Sequence, residues 1–186
     1  MIREALLGLW ARPPLMGAIL TAVIFLADQL SKAAVLYGLG LVNCAPCPDG
    51  IAPCMPCRPI EVLPFMNLVM VWNPGVSFGM FPTDTWYETA ALIAFSLAAS
   101  AGLLWWLAYV TAPLLAIAIG LFAGGALGNV IDRMLFGAVA DFFHLHASGY
   151  DWYVFNVADA AIVAGVGLLL VDTFFGGRAV EERSER

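Results

Sequence analysis

Four long stretches of apolar residues divide the chain, and polar positions gather at their ends. They are Leu15–Ala27, Thr89–Val110, Ala112–Ile131 and Ala160–Val171. The middle two are long enough to span a bilayer, because about 20 apolar residues cover a hydrocarbon core roughly 30 Å thick. The outer two reach that length only by including charges, Asp28 with Lys32 in the first and Asp159 in the last. The pattern predicts four membrane-spanning helices.

Span boundaries follow from the same pattern, and we expect spans at about 14–37, 88–110, 112–131 and 155–175. A Cys- and Pro-rich insertion at 43–59 precedes a strand region at 65–81. There, alternation in Phe65–Trp72 predicts one strand, Asn73-Pro-Gly75 a turn, and Val76–Phe81 a second strand. The predicted fold class is an all-α membrane protein of four transmembrane helices with a small extracytoplasmic β-sheet, which forms a cradle.

Composition agrees with one membrane domain over residues 1–186. Hydrophobic residues make up 62% of the chain and charged residues 12%, against roughly 25% charged in soluble domains. Closed helices satisfy their own backbone polar groups in lipid, so a four-helix domain is the simplest architecture. The basic residues are too few and too scattered for a nucleic-acid partner.

The arginines predict the orientation in the membrane, because cytoplasmic segments carry an excess of positive charge. Most lie in the N-terminal arm and the C-terminal tail: Arg3, Arg12, Arg178, Arg183 and Arg186. The long loops at 37–87 and 132–158 hold one arginine each, Arg58 and Arg133. We therefore expect a multi-pass protein with both termini in the cytoplasm and both long loops outside.

Two polar clusters lie at the ends of the first and third spans. Asp28 and Lys32 are four residues apart and share one helix face. They are either functional or an ion pair that lets a charged helix insert. The small-residue segment at 124–133 delivers Asn129, Asp132 and Arg133 to the membrane surface. A polar cap at a helix end would explain the last two residues, but not Asn129.

Asp141, and Asn156 with Asp159, follow at the same predicted boundary and suggest a shared acid pair. Two acids in a poorly solvated site cannot both ionise cheaply, so one keeps a proton at neutral pH. The ionised acid can then activate a water, and the protonated acid can donate to a carbonyl oxygen, as in aspartic proteases. From the residues alone, Asp132 is as good a candidate as Asp141.

Other hydrolytic centres lack support in the sequence. It has no His-Glu-x-x-His helix, no Gly-x-Ser-x-Gly elbow and no phosphate-binding loop. His144 and His146 alternate on one face and could bind a metal ion, but no third ligand stands beside them. We therefore expect neither a metal nor a cofactor.

Five motifs in order carry a resemblance to a known family. They are Asp28-Gln-x-x-Lys32, Asn73-Pro-Gly-Val-Ser-Phe78, Gly128-Asn-Val-Ile-Asp-Arg133, Val139-Ala-Asp-Phe142 and Phe155-Asn-Val-Ala-Asp159. Each motif alone is weak, but the set, with each member at the proper span end, resembles lipoprotein signal peptidase (signal peptidase II). The resemblance covers about residues 15–175.

The resemblance implies an aspartyl protease of the bacterial inner membrane with its active site at the outer face. Such an enzyme removes the signal peptide from prolipoproteins, cutting before a diacylglyceryl-modified cysteine, in contact with membrane lipid and as a monomer. The catalytic residues implied are Asp141 and Asp159. The substrate-binding or supporting residues implied are Asp28, Lys32, Asn73, Asn129, Asp132, Arg133 and Asn156.

The chain departs from the family pattern at two Cys-x-x-Cys pairs, Cys44 with Cys47 and Cys54 with Cys57. Their predicted place outside the cytoplasm favours disulfides first. A compact zinc site comes second and free thiols last. None of these states of the cysteines enters the proposed peptide chemistry. The insertion therefore puts in doubt the shape of the substrate entrance rather than the reaction.

Two other function classes stay open. A quinone-linked four-helix membrane thiol oxidoreductase would use the paired cysteines, but it leaves the aspartates and Arg133 unexplained. A small transporter or assembly subunit would use the acids as a proton path, but it does not explain why the polar groups gather at one membrane face. Substituting all four cysteines separates the first alternative, since a protease should keep its activity.

Overall fold

The computed structural model describes residues 8, 10–43, 58–75 and 85–176. Its four long helices are α1 (Pro13–Ala33), α2 (Trp86–Leu107), α3 (Pro113–Phe136) and α4 (Val157–Val171). Wider helical turns extend α1 through Ala34–Gly38 and α4 through Asp172–Gly176. By length and composition all four could cross a membrane. The predicted four-helix membrane fold is confirmed.

Local sequence signals fix where these helices begin and end. Both α1 and α3 begin with a proline, which needs no hydrogen-bond acceptor for its nitrogen at that position. In α2, the Glu88 side chain accepts a hydrogen bond from the Thr85 backbone N–H at 3.0 Å. Gly137 ends α3 with a positive φ of 73°, a conformation that glycine adopts without steric cost.

Helix α3 lies at the centre of the bundle and packs against the other three helices. Glycines allow the backbones to approach closely. A Cβ atom added at Gly120 would lie 2.6 Å from the Gly17 carbonyl oxygen of α1. One added at Gly165 of α4 would lie 2.8 Å from the Ala118 carbonyl oxygen of α3. Small residues therefore set the spacing of the helices.

An antiparallel four-stranded sheet caps one end of the bundle. Its strands, in spatial order, are β1 (Ile60–Leu63), β2 (Met66–Asn73), β3 (Val139–Ala147) and β4 (Tyr150–Asp151). Trp72 and Phe142 of the sheet pack into one apolar cluster with Val35 and Leu36 at the end of α1. The sheet is thereby fixed next to the C-terminal end of α1, where Asp28 and Lys32 lie.

The sheet differs in part from the sequence prediction. The strand predicted at Phe65–Trp72 is present as β2, but its neighbours are β1 and β3. The segment 139–147, interpreted from the sequence as part of a loop, is strand β3. The second predicted strand, Val76–Phe81, and the cysteine pairs at 44–57 lie outside the described residues.

Candidate active site

Two carboxyl groups from different elements meet where the sheet joins the bundle. Asp141 lies on β3 and is only 2% exposed, whereas Asp159 lies in the first turn of α4 and is half-buried. The two acids are near enough to interact electrostatically and directly through their side chains. The structure therefore brings together the two acids that the sequence analysis paired.

One asparagine binds both acids. The Asn156 side-chain amide donates to Asp141 Oδ1 at 2.6 Å. Its carbonyl oxygen accepts from the Asp159 backbone N–H at 2.9 Å and so caps the N-terminus of α4. The spacing in Asn156-Val-Ala-Asp159 thus has a local cause, because a helix N-cap residue and the residue three positions later face each other.

Two further asparagines complete the polar surroundings of the pair. Asn73, at the end of β2, donates to Asp141 Oδ2 at 3.1 Å. Asn129 of α3 donates to Asp159 Oδ1 at 2.9 Å and accepts from the Asn156 amide at 3.3 Å. Each acid is therefore oriented by neutral amides, which supply hydrogen bonds without adding charge.

The electrostatics of Asp141 fit a proton carrier. Burial raises the pKa of its carboxyl group to about 8, and the neighbouring Asp159 carboxylate adds to the rise. The hydrogen bonds from Asn73 and Asn156 and the positive charge of Lys32 oppose this rise. Burial dominates, so Asp141 is mostly protonated at neutral pH.

Arg133, near the end of α3, interacts with both acids and with the turn at Asn73–Gly75. Its guanidinium group interacts electrostatically with Asp159 and Asp141. It also donates to the Gly75 carbonyl oxygen at 2.6 Å. The Gly75 backbone N–H in turn donates to Asn73 Oδ1 at 3.2 Å. Arg133 thus ties the turn that carries Asn73 to the acid pair.

The predicted Asp28–Lys32 pair is part of a larger buried cluster. Lys32 Nζ lies 2.7 Å from Asp28 Oδ2 and 2.8 Å from Asp132 Oδ2. The three side chains are at most 3% exposed. Gln29, to which the sequence analysis gave no role, donates to both aspartates, at 3.1 Å and 3.3 Å. Its position inside the first motif was the only signal for it.

Two cavities open beside the acid pair. One of about 370 Å³ is almost wholly apolar apart from Asp159. It is lined by Trp152, Val154, Phe155, Asp159, Ala160, Val163 and Ala164. The other, of about 280 Å³, contains Asp141 and Asn73 and is lined also by Val71, Trp72, Pro74, Tyr153 and Val154. The acids therefore lie between two spaces that a substrate could enter.

The family model for "Signal peptidase (SPase) II" matches residues 20–175, which is most of the chain and includes every acid of the site. The chain belongs to the signal peptidase II family. The resemblance inferred from the five motifs is confirmed.

Relatives in this family are named lipoprotein signal peptidase. One from Methylocella silvestris is 40% identical over 89% of this chain and 90% of the relative. Another, from Methylobacterium radiotolerans, is 46% identical over 87% of this chain and 85% of the relative. A solved bacterial membrane enzyme superimposes with a TM-score of 0.66 at 25% identity, covering 85% of this chain and 89% of its own.

Membership in the signal peptidase II family makes the chain a protease of lipoprotein processing, with prolipoproteins as its substrates. Four apolar helices and the similarity to solved membrane enzymes make it a multi-pass bacterial membrane protein. The thiol oxidoreductase alternative is not favoured by these comparisons. The cysteines on which it depends lie outside the described residues.

The two histidines lie on β3 and line neither of the two cavities. His144 Nε2 lies 3.2 Å from Asp151 Oδ1, and the two imidazole rings are 5.7 Å apart. Within residues 8, 10–43, 58–75 and 85–176, no group of three His, Cys, Asp or Glu side chains is placed to hold a metal ion.

Proposed function

We propose that the chain is an aspartyl endopeptidase that cuts diacylglyceryl-modified prolipoproteins before the lipid-modified cysteine, with Asp141 and Asp159 as its catalytic pair. The observation that carries the proposal is the meeting of these two acids around Asn156, which donates to one and caps the helix of the other. Among the described residues, this is the place where two acids face each other beside cavities large enough for a peptide segment.

The roles of the two acids follow from their surroundings. Asp141, protonated at neutral pH, donates its proton to the scissile carbonyl oxygen. Asp159 accepts hydrogen bonds from Asn129 and from the Asn156 backbone, and it acts as the base that takes a proton from the attacking water. The tetrahedral intermediate then collapses as its carbon–nitrogen bond breaks: Asp159 gives the leaving amine the proton that it took from water, and Asp141 takes back a proton from a hydroxyl group of the intermediate.

Arg133 and the three asparagines support this chemistry. Asn129 and Asn156 orient the acids. Asn73 also donates to Asp141, and Arg133 holds the turn that follows Asn73 through the Gly75 carbonyl oxygen. The positive charge of Arg133 stabilises the negative charge that the pair carries during the reaction. The substrate backbone would run past Asn73, because this residue lines the same cavity as Asp141.

The apolar cavity beside Asp159 suits the lipid of the substrate. Val163 of α4 is 61% exposed on the outer surface of the bundle, so the cavity opens sideways towards the bilayer. A diacylglyceryl chain is too apolar to leave the membrane and would enter from there. We further propose that the chain acts as a monomer, with both termini in the cytoplasm and the site at the outer face.

Cleavage of a lipid-modified prolipoprotein by the purified protein tests the proposal. The wild-type protein should release the signal peptide, and Asp141→Asn and Asp159→Asn should each abolish turnover while remaining folded and inserted. Asp172→Asn is the matched control, because this acid lies at the opposite end of the helix that carries Asp159. Wild-type rates from either site variant would exclude the acid-pair mechanism.

A further inference from the structure

Two short chains of contacts lead from the buried Lys32 to the backbone beside each catalytic acid. Asp132, bound to Lys32 through Oδ2, accepts a hydrogen bond from the Ala140 backbone N–H at 3.1 Å. Asp28, bound to Lys32 through Oδ2, accepts from the Ala158 backbone N–H at 3.0 Å. Ala140 directly precedes Asp141, and Ala158 directly precedes Asp159.

The same lysine also reaches the asparagines of the site. Lys32 Nζ donates to Asn129 Oδ1 at 3.1 Å, the oxygen that also accepts from the Asn156 amide. A single ammonium group from α1 therefore joins groups on α3, on the strand of Asp141 and at the start of α4. These elements are far apart in sequence, and Lys32 reaches them from their buried side, whereas Arg133 also bonds the Gly75 carbonyl oxygen of the turn that carries Asn73.

Burial separates this cluster from substrate. Asp28 is fully buried and Lys32 is 3% exposed, and neither lines the cavities beside the acids. Every polar side-chain atom of the cluster has a partner within the protein, so none points into open space. Asp28, Lys32 and Asp132 are therefore placed to support the site rather than to contact substrate directly.

We infer that Lys32, with Asp28 and Asp132, is a positioning centre that sets the separation of the two catalytic carboxyl groups by holding the backbone N–H groups of Ala140 and Ala158. This inference rests on the proposed function of Asp141 and Asp159. Geometry errors of about 1 Å cost roughly 100-fold in rate even when they arise away from the chemistry. The cluster is therefore required for turnover although it touches no substrate.

The competing explanation is that Asp28 and Lys32 form an ion pair that merely lets a charged helix insert. A charge-balanced double variant, Asp28→Asn with Lys32→Met, separates the two. It removes one negative and one positive charge, and the introduced asparagine keeps an oxygen that can accept from the Ala158 N–H. If the ion pair serves only insertion, this variant should reach both the protein level and the activity of the wild type. A positioning role predicts that kcat stays about 100-fold low with KM changed by less than about threefold.

Lys32 is the only lysine in the sequence, which provides a spectroscopic readout. Protein grown with ¹⁵N-lysine gives one side-chain ammonium signal, that of Lys32 Nζ. Asp132→Asn should shift this signal and lower kcat on a synthetic diacylglyceryl-cysteine peptide. Asp172→Asn should do neither. A shifted signal with kcat within about twofold of wild type would overturn the positioning role.

Gly128→Ala tests the positioning centre without changing any charge. It provides the test if the double variant does not fold. A Cβ atom at this position would collide with Asp28 Oδ2 and lie 3.0 Å from its Cγ. Gly124→Ala is the matched control, because its Cβ would instead meet the Thr21 carbonyl oxygen at 2.7 Å. At similar loss of thermal stability, only Gly128→Ala should lower kcat about 100-fold.

Parallel assays of Asp141→Asn keep the two proposals apart. If Asp141→Asn is inactive while the double variant or Gly128→Ala turns over at the wild-type rate, the positioning role is wrong and the acid pair stands. If Asp141→Asn cleaves normally, the acid pair is wrong whatever the Lys32 variants do.

Discussion

Asp141 is subject to opposing influences on one carboxyl group. Burial and the nearby Asp159 favour its neutral form, whereas Lys32 and the amides of Asn73 and Asn156 favour its charge. Burial is the larger effect, and the pKa of Asp141 lies at about 8. A protein that works near neutral pH can therefore use this residue as an acid without a metal-bound water or a histidine.

The raised pKa of Asp141 predicts how turnover depends on pH. The acid must carry its proton to donate it, so kcat/KM should hold below pH 8 and fall as pH rises through about 8. Initial rates on a diacylglyceryl-cysteine peptide between about pH 6 and pH 10 measure this, with circular dichroism at each pH to detect unfolding. A rate that keeps increasing across this range would contradict the assigned role.

Replacing Asn156 should lower the catalytic rate much more than it lowers the stability of the protein. In Asn156→Ala the 2.6 Å bond to Asp141 and the cap on α4 are both lost. Loss of an N-cap costs about 1 kcal/mol of stability, whereas misplacing both acids should lower kcat about 100-fold. Asn67→Ala, on β2 away from the acids, is the control. Equal losses of rate and protein level in Asn156→Ala would argue for a purely structural role.

At the scale of residues, the sequence indicated which polar side chains are candidates for the site but not which of them contact each other. Asp141 and Asp159 could be paired because both lie at one predicted membrane face, yet the choice of Asp141 over Asp132 needed the family resemblance. The structure explains the difference, since Asp132 is committed to Lys32 and the Ala140 backbone. No periodicity reveals such a bond, because it joins segments from separate elements.

At the scale of elements, two glycines of α4 differ in whether they lie at a contact with another helix. Gly165 of α4 faces α3, where an added Cβ would lie 2.8 Å from the Ala118 carbonyl oxygen and 2.9 Å from the Phe122 nitrogen. Gly167, two residues later, has no neighbouring atom within 4 Å of such a Cβ. The two positions lie on one helix but differ in what surrounds them.

This difference predicts opposite effects on stability. Gly165→Ala should lower the unfolding temperature in detergent, because α3 and α4 must move apart to admit the methyl group. Gly167→Ala should leave it unchanged or raise it slightly, since alanine favours a helix over glycine by about 1 kcal/mol. Thermal unfolding of the two variants beside wild type measures the effect. Equal unfolding temperatures would show that the α3–α4 contact is looser than described.

The helices were predictable from long apolar runs, but of the four strands in the described residues only β2 was predicted. Strand β2 shows alternation, whereas β3 begins with four consecutive buried residues, one of them Asp141, so its first half has no period of two. Its pairing with β2 brings together residues about 70 positions apart, Val71 with Asp141. Long-range pairing of this kind follows from tertiary packing, which local patterns do not encode.

At the scale of the whole molecule, the proposed function brings a water-requiring reaction next to a surface that we infer faces lipid. The cavity of about 370 Å³ joins Asp159 to exposed apolar residues of α4. The exposed Trp152 lines this cavity, and the exposed Tyr153 lines the neighbouring cavity that contains Asp141. Tyrosine and tryptophan are enriched where membrane and water meet, so we infer that the acids lie near the bilayer surface.

This placement predicts that the lipid on the substrate is required for efficient cleavage. A precursor with a diacylglyceryl-cysteine should be cut much faster than the same precursor with a free thiol, because only the former can fill the apolar cavity from the bilayer side. Val163→Trp should block the cavity and slow cleavage of the lipidated precursor. Val166→Trp, one turn along α4 and outside the cavity lining, is the matched control. Equal cleavage of both precursors would exclude lateral entry of the lipid.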